Sequence, residues 1–75
     1  MEAYKNLNGN SGIESYEIGA GEIAVRFNNG EVYVYTTGSA GATNIEQMKN
    51  MALAGSGLYR FINNEVKYLY RSKLD

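Results

Sequence analysis

Between Glu22 and Thr37 the chain alternates apolar and polar positions, turns at Asn29-Gly30, and alternates again. Ile23, Val25 and Phe27 take every second place before the turn. Val32 and Val34 do so after it, with Tyr33 and Tyr35 between and beyond them. A period of two marks strands, and Asn-Gly between two such runs predicts a hairpin with a two-residue type I′ loop. That loop pairs Phe27 with Val32, Val25 with Val34 and Ile23 with Thr36 on one face. Arg26 with Tyr33 and Ala24 with Tyr35 fall on the other. A further strand is expected over Ile13–Ile18, joined through Gly19-Ala20-Gly21, which sets Tyr16 beside Ala24 and Tyr35. The expectation is one sheet face of Ile, Val and Phe, and an opposite face of Tyr16, Tyr33, Tyr35 and Arg26.

The period then changes. Thr43-x-x-Glu46 has the form of a capping box, and Ile45, Met48, Met51 and Ala52 follow at helical spacing. A helix is expected over Asn44–Ala54, with Gly55 as its C′ residue and its stripe on the aliphatic sheet face. Gly38–Ala42 reads as a flexible connector. Residues 1–12 read as a polar arm anchored by Tyr4 and Leu7. Near the C-terminus, Leu58–Ile62 suits a helical turn, Asn63-Asn64 a turn, and Glu65–Arg71 a last strand. A helix over Leu58–Leu69 competes, because Leu58, Ile62, Val66 and Leu69 also form a helical stripe. The fold class is α+β: one domain over residues 13–75, a small three- to four-stranded antiparallel sheet with one main helix on its aliphatic face.

With 75 residues the chain is one domain, and its small core points to support from a homo-oligomer. It has no Cys and no His. That excludes disulfides, the usual zinc sites and any Ser–His relay. No apolar run approaches the roughly 20 residues of a membrane helix, and Met1–Asn10 is too polar for a signal peptide, so a cytoplasmic protein is expected. The net charge of −1 is unevenly spread. Residues 1–46 carry two cations against six acids; residues 47–75 carry five against two. A basic C-terminal third attracts phosphate. A solvated face is the simpler reading of it, and five cations are few for tight binding to a nucleic-acid duplex.

The ordered set S-x-I-x-x-Y, then I-x-V-x-F-x-x-G-x-V-Y-x-Y, then A-x-S-G-x-Y and F-x-N resembles the KTSC domain. The matching positions run from Ser11, Ile13 and Tyr16 through Ile23, Val25, Phe27, Gly30, Val32, Tyr33 and Tyr35. They continue at Ala54, Ser56, Gly57, Tyr59, Phe61 and Asn63. The family takes its name from a segment at the C-terminus of some lysyl-tRNA synthetases, and it also occurs as small stand-alone bacterial and phage proteins. RNA binding has been suggested for it. The family's basic residue after the last apolar anchor is kept as Lys67 after Val66. Its Pro after the Y-x-Y strand is absent here, where Thr37-Gly38-Ser39-Ala40-Gly41 stands instead.

No spacing of acids, serines or lysines argues for catalysis, so the protein is expected to be a non-enzymatic binding module without a cofactor or a metal. Tyrosine rings on a sheet can stack bases while arginines pair with phosphate. The candidate ligand-binding residues are Tyr16, Arg26, Tyr33, Tyr35, Tyr59, Arg60 and Arg71, with Tyr68, Tyr70 and Lys67 beside the last set. The ligand is expected to be nucleotide-like: single-stranded RNA, or a small nucleotide messenger held by a phage-type sequestering protein. The same tyrosines also suit a core or an interface, because the residue favours strands. A domain or inhibitor that docks a protein partner on its tyrosine-rich sheet face is the alternative. Gly38–Ala42 ahead of a helix offers N–H groups to an anion, but a plain flexible linker is the simpler reading. Gly55-Ser56-Gly57 reads as a helix stop.

Overall fold

The computed structural model describes residues 1–7, 9 and 11–74. Five strands form one antiparallel meander: β1 (Glu2–Ala3), β2 (Ile13–Gly19), β3 (Glu22–Phe27), β4 (Val32–Thr36) and β5 (Ser72–Leu74), in that spatial order. Between β4 and β5 run α1 (Thr37–Ala40), α2 (Ala42–Ala54) and α3 (Leu58–Phe61), the last continued by a π-helical turn over Ile62–Val66. The fold is α+β with α2 as its main helix, as the periodicity predicts; the sheet has five strands rather than three or four. Among the described residues no helix is long and apolar enough to cross a membrane.

The central hairpin forms, but its loop holds three residues, not two. Gly30 N–H donates to Phe27 O at 2.9 Å, and Phe27 N–H donates to Glu31 O at 2.9 Å. Asn28, Asn29 and Gly30 therefore make the loop. Gly30 absorbs a φ of +89°, and Asn29 Oδ1 accepts the Glu31 N–H at 2.9 Å. The register becomes Ile23↔Tyr35, Val25↔Tyr33 and Arg26↔Val32. A slip of one residue turns a strand over, and here it exchanges the expected faces of β4. Tyr35 and Tyr33 join Ile23 and Val25 on the inner face, while Val32 and Val34 join Arg26 and Ala24 outside. The exchange removes the large Tyr35 ring from water, leaving it 1% exposed.

The β2–β3 turn holds two residues, Ala20 and Gly21, with Gly19 paired to Glu22, and this shifts β2 by one as well; a bulge between Ile13 and Ser15 then returns Ile13 to Phe27. Tyr16 then pairs with Val25, not with Ala24, and lies in the core. The expected separation into an aliphatic and a tyrosine face is thus replaced by one mixed inner face. Ile45, Met48 and Ala52 of α2 are buried against it, as the helical stripe predicts, and Leu58, Ile62 and Val66 complete the core.

Two helix boundaries differ from expectation. The cap lies on Thr36, not Thr43: Thr36 Oγ1 accepts the Ser39 N–H at 3.1 Å, and Ser39 Oγ accepts the Thr36 N–H at 3.0 Å. Thr36 is the extended last residue of β4, so its side chain can cap the turn that follows at once. The segment read as a flexible connector is therefore largely α1. Gly41 separates it from α2, which starts two residues before the expected Asn44 and has no side-chain cap. At the other end Gly55 takes the left-handed conformation (φ +77°), as expected of a C′ glycine.

In the C-terminal third the helical stripe prevails over the strand expected at Glu65–Arg71. Leu58, Ile62 and Val66 are four apart and all buried, which a widened helix satisfies and a strand does not. The last strand forms later, at Ser72–Leu74. At the N-terminus Tyr4 is an anchor: it is buried, and its hydroxyl accepts the Leu58 N–H at 3.3 Å. Leu7 is not an anchor, with 68% of its surface exposed.

Candidate functional site

The slipped register brings Tyr33 to the inner side of the sheet, beyond the end of the helical cover. There it meets rings from two other segments, and a third ring reaches it through Phe27. Phe27 and Tyr33 stand edge to face with centroids 5.5 Å apart. Tyr33 and Tyr70 lie 4.8 Å apart, Tyr35 and Tyr70 6.4 Å, and Phe27 and Tyr59 6.2 Å. The five rings form a continuous chain of edge-to-face contacts, each favourable through the ring quadrupole. They line a cleft of about 390 Å³. Its remaining wall comes from Gly12 and Ile62, and its polar rim from Asn28, Asn29, Glu31, Asn63 and Lys67, with Tyr68 at the edge.

The rim is electrostatically ordered. Glu31 Oε1 accepts from Asn29 Nδ2 at 3.0 Å and from the Tyr33 hydroxyl at 3.3 Å, and its carboxylate pairs with Lys73. The hydrogen bond from Lys73, with that from Asn29, holds the Glu31 carboxyl below its ordinary range. Desolvation, with the nearby Glu31 charge, pushes the Tyr33 phenol up. Burial pushes Tyr35 well above the usual phenol value. Lys73 Nζ lies 5.8 Å from the Tyr33 ring centroid. Lys67 Nζ lies 5.6 Å from that of Tyr68 and makes no ion pair among the described residues.

A second cleft of about 490 Å³ adjoins the first. Tyr59 lines both. The ring rests close to the Gly12 backbone: a Cβ at Gly12 would stand 2.6 Å from Tyr59 Cε1. The second cleft is bounded by Tyr4, Asn6, Ser11 and the Gly55-Ser56-Gly57 stretch, and Arg60 lines it.

Of the seven candidate residues, Tyr33, Tyr35 and Tyr59 come together in the aromatic cleft, and Arg60 lines its neighbour. Three lie elsewhere. Tyr16 is in the core at 7% exposure. Arg26 falls on the outer face of the sheet, 3.9 Å from Glu14, because the hairpin register puts it opposite Val32. Arg71 lines neither cleft; its backbone N–H donates to Val34 O at 2.7 Å beside β4. The cleft also uses Phe27, expected among the aliphatic residues, and Tyr70 and Lys67, expected on a strand. Glu31 carried no signal beyond its place after an Asn-Gly turn. Among the described residues no group of three or more acids gathers to hold a metal ion.

No protein-family model, curated protein or solved structure matches this chain.

Proposed function

We propose that the aromatic cleft binds a small nucleotide-like ligand and that the protein acts by holding it, not by transforming it. One observation carries the reading: five aromatic rings converge on an open cleft whose rim holds Lys67, which has no carboxylate partner among the described residues. Ring stacking on a base is worth about 1–3 kcal/mol. The cleft volume falls near the lower end of small-molecule sites, roughly 300–1,000 Å³, which favours one nucleotide-sized unit over an extended strand. The titratable groups support binding over catalysis. Glu31 is held ionised and Tyr33 and Tyr35 are held protonated, so their shifts lead away from the neutral range a general acid or base needs. Phe27, Tyr33, Tyr35, Tyr59 and Asn63 belong both to the cleft and to the KTSC-like pattern, which supports reading the two as one feature.

The test is a calorimetric titration with the four nucleoside 5′-monophosphates. At least one binds the wild-type protein, and Tyr33→Ala weakens it about tenfold or more, the equivalent of one stacked base. Absence of binding by all four, or indifference to Tyr33→Ala, contradicts the reading. A second reading rests on a different feature. Tyr68, Leu69 and Tyr70 form an exposed apolar run, with 78%, 42% and 36% of their surfaces open. A protein partner docked there would depend on Tyr68 and little on salt, whereas phosphate binding weakens steeply with ionic strength.

A further inference from the structure

We infer that the two clefts form one two-ended site, divided by Tyr59, in which a nucleotide places its base among the tyrosines and its phosphate against Arg60. The inference rests on the nucleotide-like reading of the aromatic cleft and adds the partner for the charged end. Three observations carry it. Tyr59 is the wall common to both clefts, and Ser11-Gly12 runs alongside it, with Gly12 lining the aromatic cleft and Ser11 the other. The chemistry differs on the two sides of that wall. On the aromatic side Glu31 and Lys73 form an ion pair that leaves no net charge beside Tyr33, and Lys67 lies over the Tyr68 ring at the edge of the cleft. Among the described residues the other side is lined by no acid, and it is lined by Arg60, which makes no ion pair there. A guanidinium that spends none of its donors on a carboxylate is suited to a bidentate phosphate contact. The Tyr59 ring is held against the Gly12 backbone so closely that no side chain fits between them, which fixes the height of the wall the ligand crosses.

Four measurements test this with two probes, a nucleoside and its 5′-monophosphate, chosen as the tightest pair from the nucleotide titration. In the wild-type protein the monophosphate binds about tenfold tighter than the nucleoside. In Arg60→Gln the two bind alike, at the affinity of the nucleoside. Arg71→Gln removes the same charge from a residue outside both clefts and keeps the tenfold preference. The preference also falls with added salt in the wild type and not in Arg60→Gln. Arg60 and Arg71 are both exposed, so neither change threatens the fold. A preference that survives in Arg60→Gln overturns the inference, as does equal loss in the two variants. Equal binding of both probes to the wild type overturns it while leaving the aromatic site standing. If neither probe binds, the functional reading fails and the inference with it.

Discussion

Tyr33 and Tyr35 sit two positions apart on one strand face, and their surroundings separate them. Tyr35 is sealed under Tyr70 and the helices at 1% exposure, whereas Tyr33 stays partly open at the cleft. Tyr35→Ala is expected to cost about 3–5 kcal/mol, the range for emptying a buried aromatic site. Tyr33→Ala costs distinctly less stability and acts mainly on ligand affinity; chemical denaturation of the two variants checks the contrast. The phenols also predict the alkaline limit of the fold. Unfolded tyrosines ionise near pH 10, while Tyr35 and Tyr33 hold their protons to higher pH in the folded chain. Above about pH 10 the unfolded state sheds protons that the folded state keeps, so stability falls as pH rises. A melting-temperature series across that range shows the decline in the wild type and a shallower one in Tyr35→Phe. The pairing of these rings was not legible along the chain. In Val-Tyr-Val-Tyr both alternating sets are apolar enough to be buried, so the period of two marks a strand without saying which set faces in.

At the scale of elements, the hairpin, the main helix and its C′ glycine were all readable, because each leaves a local signature. Register was not. Asn-Gly suits a two-residue loop, and Asn-Asn-Gly suits the three-residue loop that forms. Burial of Tyr35 in the core decides between them, and packing is invisible to a local pattern. The same holds for the cap. Thr36 and Thr43 are both threonines three residues before a polar side chain, and only the exit of β4 selects Thr36. The last strand was displaced because Leu58, Ile62 and Val66 bury together only as a helix. Two glycines with positive φ give a direct test of this account. Gly30→Ala meets no atom within 4 Å and carries backbone strain alone, about 1 kcal/mol. Gly55→Ala has the same kind of backbone and would place its Cβ 2.5 Å from that of Lys5. It is expected to destabilise markedly more, measured as the difference in unfolding free energy between the two variants. Tyr4→Phe removes the acceptor for the Leu58 N–H and is expected to cost about 1 kcal/mol, which ties the N-terminal residues to the start of α3.

For the whole molecule, 75 residues imply a stability of about 4–11 kcal/mol, so the loss of one buried ring consumes a large share of it. The charge asymmetry seen along the chain is sorted by the fold. Arg26 and Lys73 are engaged with acids, and Lys49 Nζ donates to Gly19 O at 3.0 Å. Lys67 and Arg60 face the two clefts. The proposed site keeps the residue types singled out along the chain, tyrosines with cations. The place was different: beside the hairpin end and the last helix, not on an open sheet face. The most direct test is an NMR titration of the labelled protein with the tightest nucleoside 5′-monophosphate. If the cleft binds the nucleotide, the shifts centre on Tyr33, Tyr59, Lys67 and Tyr70 and spare Ala24, Arg26, Val34 and Leu74. Shifts centred on that outer set, or none at saturating probe, would contradict it.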